Sequence, residues 1–447
     1  MVEPLQEEAV VRFIHGASIA NFPPSVIEQA RRCFLDLLTC SLAGAPSKAA
    51  TIAREFAASF GGSEEAGLFG DSRRAPLPLA ILANTAACQA LDCDDGFNAV
   101  KGHPGAFLFP ALLACCEMRP QTGREALEAL VIGYEIGIRA GLLMTSLYPT
   151  YHGSGAWGGV GTATVLARCF GFDAEQTARV LGAAEYHGTV APIMRCVSHP
   201  AMGKDAAAWG AFSGASAALL ARSGFTTSPS LYAFPDASDL VESLGSKFLI
   251  SGLYFKSYCC CRWAHPAIRA ALRLRAQAGC DAEQMSQVEI ETFREACTLF
   301  QGVPRNSEQA QYSLIYAVAA ALVYGDVGPA QVADDRVPDD RVVDMARRIT
   351  VRFREEFQPE FPLKRLAEVI ITIGGQRLKS GIVAAQGDSA DDPMPPDELE
   401  RKFIRYTAGS LSIGEQQSLL DTCQQIEDLP DLSEFARILC RSTSARN

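Results

Sequence analysis

The period of the hydrophobic pattern changes twice along this chain, and no other feature constrains the fold as strongly. Up to about residue 257 the apolar positions recur at helical spacing. Ile27, Ala30, Phe34, Leu37, Leu38 and Ser41 form one such stripe, and Gly44 is placed to end it. Asp173-Ala-Glu-Gln176 offers an N-cap residue with glutamine three positions on, which is a helix start. After about residue 265 the pattern alternates instead. Residues 287–293, 349–353 and 368–373 read as half-buried strands, and Gly374-Gly375 fits a hairpin turn. A helix over 307–324 interrupts them, and the Asp/Pro-rich stretch 387–396 reads as a loop. Helical spacing returns from Asp397 onward through Leu399, Phe403 and Tyr406. The pattern predicts a mainly α protein: a large all-helical domain (residues 1–262 and 397–447) and a smaller α+β lid domain (residues 263–396) over a cleft.

Two helical runs, 158–167 and 210–221, are dense in Gly, Ala and Ser. Residues this small let helices approach closely, either inside the bundle or across a dimer interface, and the pattern fits both.

The net charge of −11 over 447 residues repels nucleic acid and anionic lipid, so neither is expected as a partner. An anionic substrate would need local cations against that field. The acidic N-terminus lacks the basic start and apolar block of a signal peptide. No apolar run is expected to reach the roughly 18–20 residues of a membrane span. Fifteen cysteines, an odd number scattered through helices, fit reduced thiols in a cytoplasmic protein rather than a disulfide framework.

Chemistry concentrates in three interruptions of the helical pattern. The first is a loop with Asp92, Asp94, Asp95, Lys101 and His103, after a helix through 80–91. Three carboxylates in four residues need solvent, a cation or a shared proton. The second holds Lys204, which opens an Ala-rich apolar helix and suits a carboxylate clamp. The third is the Cys259-Cys-Cys-Arg-Trp-Ala-His265 run with Arg262. Of the six histidines, His152 stands at a helix start, where the dipole favours a neutral proton acceptor. His15, His187 and His199 read as structural. No metal is expected: the acidic loop matches neither an EF-hand nor HExxH, and three consecutive cysteines match no C-x₂-C spacing. GxxxxGK[ST] and GxSxG are absent, and no strand is followed by GxGxxG and a helix.

The stretches LDCDDGFNAVKGHPG (91–105), YHGSGAWGGVGTATVLARCFGFDAEQ (151–176), GKDAAAWGAFSGASAALLARSGFTTSP (203–229), FKSYCCCRWAHPAI (255–268), QYSLIYAVAAAL (311–322) and DDPMPPDELERKF (391–403) occur in the order found in the MmgE/PrpD family, which the chain resembles over nearly its whole length. That resemblance implies the same two-domain fold, a homodimer and catalysis without a cofactor. It places the active-site positions on Asp92, His103, His152, Lys204, His265 and Tyr316. Three departures bear on the subclass: Gly96 where threonine is common, Ser257-Tyr258 in place of a Pro-containing turn, and Gln311-Tyr312 in place of Arg-His.

The expected function is a cofactor-free lyase that dehydrates or decarboxylates a small di- or tricarboxylate by proton transfer next to a carboxylate. Lys101, Lys204 and Arg262 would bind the substrate, His103 and His152 would be acid and base, and Asp92 would orient or charge a histidine. His265 and Tyr316 would donate protons from the lid side. An epimerase of an α-substituted dicarboxylate is the alternative, and a non-catalytic helical binding protein the third reading.

Overall fold

The computed structural model describes residues 4–442. Its centre is a set of helices that are apolar on nearly every side: Leu77–Gln89, Gly105–Met118, Gly123–Leu147 and Gly158–Phe170. Helices of that composition are stable only when surrounded by others. The two small-residue runs fall in Gly158–Phe170 and Ala207–Arg222, which pack against one another. A Cβ at Gly214 would lie 2.1 Å from the Gly159 carbonyl oxygen, so only glycine permits this approach. The small residues therefore serve the core of the bundle.

Local signals match the elements they start and stop. Asp173 and Gln176 close a capping box on Ala174–Tyr186, and Pro24–Gly44 ends where expected. A short ribbon, β1 (Ala66–Gly67) with β2 (Arg74–Ala75), was not anticipated. The helix expected over 307–324 is two, Ser307–Gln311 and Leu314–Tyr324. Ser313 breaks the run because its side chain caps the second helix, accepting from the Tyr316 N–H. One helix, Gly123–Leu147, is long and apolar enough to cross a membrane by length and composition, contrary to expectation. It is largely buried, and its Glu135 and Arg139 pair with one another inside the protein.

The mixed part holds β3 (Met285–Thr292), β4 (Ile349–Phe353), β5 (Leu366–Ile373), β6 (Gln376–Lys379) and β7 (Val383–Ala384). The sheet order is β4-β3-β5-β6, with β7 also paired to β5. β3 and β4 run parallel, which demands a crossover, and the helices between them supply it. β5 and β6 form the hairpin, with Gly374 and Gly375 both at positive φ as that turn requires. The His265–Ala278 helix packs on β5, and Leu314–Tyr324 packs on that helix in turn. Elsewhere the sheet carries ion pairs such as Arg354 with Glu291 (3.1 Å) and Glu368 (2.9 Å).

After the sheet, the Pro396–Thr407 helix returns to pack along Pro24–Gly44. Lys402, wholly buried, joins Asp36 (2.6 Å) and the Cys93 carbonyl (2.6 Å). Burial pushes the Asp36 carboxyl up to about 6, and Lys402 opposes that rise. Removing one partner of such a pair leaves the other charge buried alone. Lys402→Met is expected to lower the unfolding free energy by about 3–5 kcal/mol, read from denaturant midpoints. Adding Asp36→Leu should restore much of that loss.

Candidate active site

The loop that follows the Leu77–Gln89 helix is held at nearly every residue by a different element. Lys204 donates to the Ala90 carbonyl (2.7 Å) and the Gln89 carbonyl (3.4 Å), so a cation stands at the negative end of that helix. Its third donor reaches Gln311 Oε1. Asp92 turns the chain at φ 48° and pairs with Lys256, which is completely buried. The Cys93 carbonyl meets Lys402, as described above. Asp95 accepts from the Gly105 N–H (3.0 Å) and from the Tyr134 hydroxyl. Gly96 exchanges two backbone hydrogen bonds with Tyr254 (3.0 and 2.9 Å).

His103 stands at the middle of the cluster. Its Nδ1 donates to the Asp95 carbonyl (2.7 Å), which leaves Nε2 as the working nitrogen. Nε2 lies 3.7 Å from Asp92 and 3.9 Å from Asp205, and Nδ1 lies 3.7 Å from Asp94. Burial works to lower the His103 pKa, but Asp94, Asp92 and Asp205 outweigh it and hold the ring above its ordinary value. Burial raises the Asp94 carboxyl to about 6, and neither of its oxygens has a hydrogen-bond partner. Burial likewise raises Asp205. It would raise Asp92 too, yet Lys256, His103 and Lys204 keep that group below the usual carboxylate range. The cluster therefore pairs an ionised Asp92 with an imidazolium and two carboxyls poised to take protons.

Ligand atoms of Asp92, Asp94 and His103 lie within 4.8 Å of one another, close enough to share a cation. Lys256 already supplies one to Asp92, and His103 spends Nδ1 on a carbonyl. Among the described residues the non-glycine positions at positive φ are Asp92, Lys101, Asp205 and Ala206. All four lie in the loops that form this cluster. Such strain costs roughly 1–3 kcal/mol per residue and collects where function requires it.

The cluster thus gathers Asp92, His103 and Lys204 as expected. His152 is buried and its Nδ1 donates to the Thr150 carbonyl (2.8 Å), so its Nε2 can accept a proton. Its chain neighbours adjoin the cluster: Ser154 Oγ accepts from the His103 N–H (3.0 Å), and Gly153 packs on the Asp205 backbone. Lys101 instead lies over the Tyr151 ring at 4.5 Å.

Three expected site residues have partners other than the His103 cluster. Arg262 is engaged by Asp388 (2.8 Å) and the Gln386 carbonyl and covers the Tyr254 ring at 3.9 Å, so it ties the 386–388 loop down rather than waiting for a substrate. His265 packs on Tyr258 and donates from Nε2 to the Cys260 carbonyl (3.2 Å). Burial, with Arg262 and Lys256 nearby, pushes it well below the ordinary histidine range. Tyr316 faces Asp339 and Tyr324, away from the carboxylates, and burial lifts its phenol to about 12. The helix break at Ser313 turns Tyr312 inward in its place. Burial raises the Tyr312 phenol well above its usual value, and Cys196, Asp92 and Asp205 stand around it.

Sequence reasoning thus missed Lys256, Asp205 and Tyr312. Lys256 lay inside a motif already singled out, and Asp205 adjoins Lys204. The signal that could have found them is a buried charge beside residues of special backbone geometry.

This arrangement belongs to a proton-transfer enzyme. The MmgE/PrpD N-terminal domain matches residues 8–238 and the MmgE/PrpD C-terminal domain residues 258–428, so the chain belongs to the MmgE/PrpD family. It is similar to the cis-aconitate decarboxylase-like protein oryM of Aspergillus oryzae, 22% identical over 94% of this chain and 94% of that protein. It is also similar to the cis-aconitate decarboxylases of Aspergillus terreus (22%; 93% and 92% covered) and Mus musculus (22%; 97% and 93% covered). The chain is accordingly an enzyme of the lyase class.

A carboxylate that raises a histidine pKa should lower it when neutralised. In Asp94→Asn the His103 titration midpoint, followed by NMR of the labelled imidazole, is expected to fall. Because the folded pKa exceeds the unfolded 6.5, the stability His103 contributes is complete below pH 6.5 and is lost as pH rises through the folded value.

Proposed function

We propose that this enzyme removes a proton or CO₂ next to a carboxylate of a small di- or tricarboxylic acid, by dehydration or decarboxylation, with side chains alone as catalysts. The observation that carries the reading is the buried Asp92–His103–Lys256 cluster, with Asp94 and Asp205 able to exchange protons around it. Such reactions build negative charge beside an existing carboxylate, and a fixed cation must offset it. A unit charge at 4 Å is worth roughly 4 kcal/mol at an effective dielectric near 20.

In this mechanism the His103 imidazolium is the acid at Nε2, aimed by the Asp95 carbonyl. His152 is the base, through the Nε2 that its Nδ1 contact leaves free. Asp92 holds Lys256 and charges His103, while Lys256 and the field of Lys204 stabilise the enolate-like intermediate. Tyr312 takes the donor role first expected of Tyr316. The relatives named as cis-aconitate decarboxylases support an unsaturated or hydroxylated polycarboxylate as the substrate type.

A second reading is epimerisation of an α-substituted dicarboxylate. It is favoured by the supply of His103 and His152 from two separate loops, as proton exchange on opposite faces requires. Product analysis separates the two, since only a lyase forms an alkene or releases CO₂. We also propose residues 263–396 as the lid over a body of residues 1–262 and 397–447, a homodimer, and a cytoplasmic setting. All fifteen cysteines are unpaired, which supports a reducing compartment.

His103→Ala and Lys256→Met are each expected to slow α-proton exchange in D₂O by on the order of 10²–10⁴. Proton NMR with a panel of citrate, methylcitrate, cis-aconitate and malate reads exchange, dehydration and CO₂ loss together. Undiminished exchange in both variants rejects the assignment. Turnover should be unchanged after dialysis against a strong chelator.

A further inference from the structure

The cations of the site are already spoken for, and one aromatic ring narrows the space beside them. Lys204 has three donors and three protein acceptors: Gln89, Ala90 and Gln311. Arg262 is bound to Asp388, and Lys101 rests on Tyr151. The cluster itself opposes Lys204, Lys256 and His103 to Asp92, Asp94 and Asp205, with burial raising the last two carboxyls. One substrate carboxylate can meet Lys256 and His103, and a second the field of Lys204. A third is left with Lys101, held over the Tyr151 ring.

The second observation is steric and independent of charge. A Cβ on Gly96 would fall 2.3 Å from both Cζ and Oη of Tyr254, so the ring occupies the space a side chain at 96 would fill. That ring cannot swing away. Its backbone is bonded to Gly96, Arg262 covers one face at 3.9 Å, and a Cβ on Gly387 would meet its Cβ at 2.9 Å. Tyr254 stands two residues before Lys256, and its ring lies against Gly96 in the loop that carries Asp92 and His103.

We propose that this site takes a compact dicarboxylate in preference to a tricarboxylate, with Tyr254 as the residue that sets the limit. The inference rests on the lyase reading in that both place the substrate at the His103 cluster. Tyr254 is a specificity residue here, acting by the volume it fills.

The test is calorimetric titration of the full-length protein with two unreactive acids, succinate and tricarballylate. Succinate is expected to bind at least tenfold more tightly. Equal or tighter binding of tricarballylate overturns the proposal. In Tyr254→Leu, and in Tyr254→Ala as a second variant, tricarballylate affinity should rise at least fivefold while succinate stays within twofold. A preference unmoved in whichever variant folds, judged by its circular dichroism, removes Tyr254 from the role. Binding is read without turnover. A succinate preference retained by a protein that turns over no acid would therefore reject the lyase reading and support this one.

Discussion

A lysine with no exposure to water has to be paired, and the pairing of Lys256 with Asp92 organises everything around it. Two separate parts of the chain meet at that contact: the loop after the Leu77–Gln89 helix and the segment leading into the mixed sheet domain. Desolvating both charges is expensive, and it is tolerated only where geometry is tight and the remaining polar atoms have partners. Asp92 obtains further support from His103 and Lys204, so it stays ionised while Asp94 and Asp205 are raised by burial. The division of labour among the carboxyls follows from which of them Lys256 touches.

Buried lysines recur as fasteners. Lys402 ties the last helical segment to Asp36 and to the Cys93 carbonyl, one residue from Asp92. Lys204 closes the helix that precedes the loop. Three lysines from three distant parts of the chain thus pin the stretch from Gln89 to Cys93. This accounts for how the loop can hold a left-handed Asp92, which an unconstrained chain would avoid.

What the sequence revealed depended on whether the physics was local. Helix stripes, the Asp173 capping box, the Gly374-Gly375 turn and the alternating strands are decided within a few residues, and they were legible. So were Asp92, His103 and Lys204, because polar groups interrupting apolar helix stand out. Lys256 did not, since its partner lies 164 residues away and nothing nearby signals its burial. Tyr316 was misplaced for a related reason. A serine cap inside one apparent helix rotates the following aromatic away and turns Tyr312 inward, and periodicity alone reads straight through such a break. Arg262 and His265 stand in a conspicuous motif, but nothing in it signals their partners, Asp388 and the Cys260 carbonyl.

The glycines that follow His152 carry one more consequence. Gly153 and Gly155 have no side chains to separate them from the backbones of Asp205 and Ala206, so the loop after His152 packs directly on the strained one. The 386–392 loop is held by a different kind of contact, the ion pairs of Arg262 with Asp388 and Arg269 with Asp392, which unlike a glycine approach can be undone and remade.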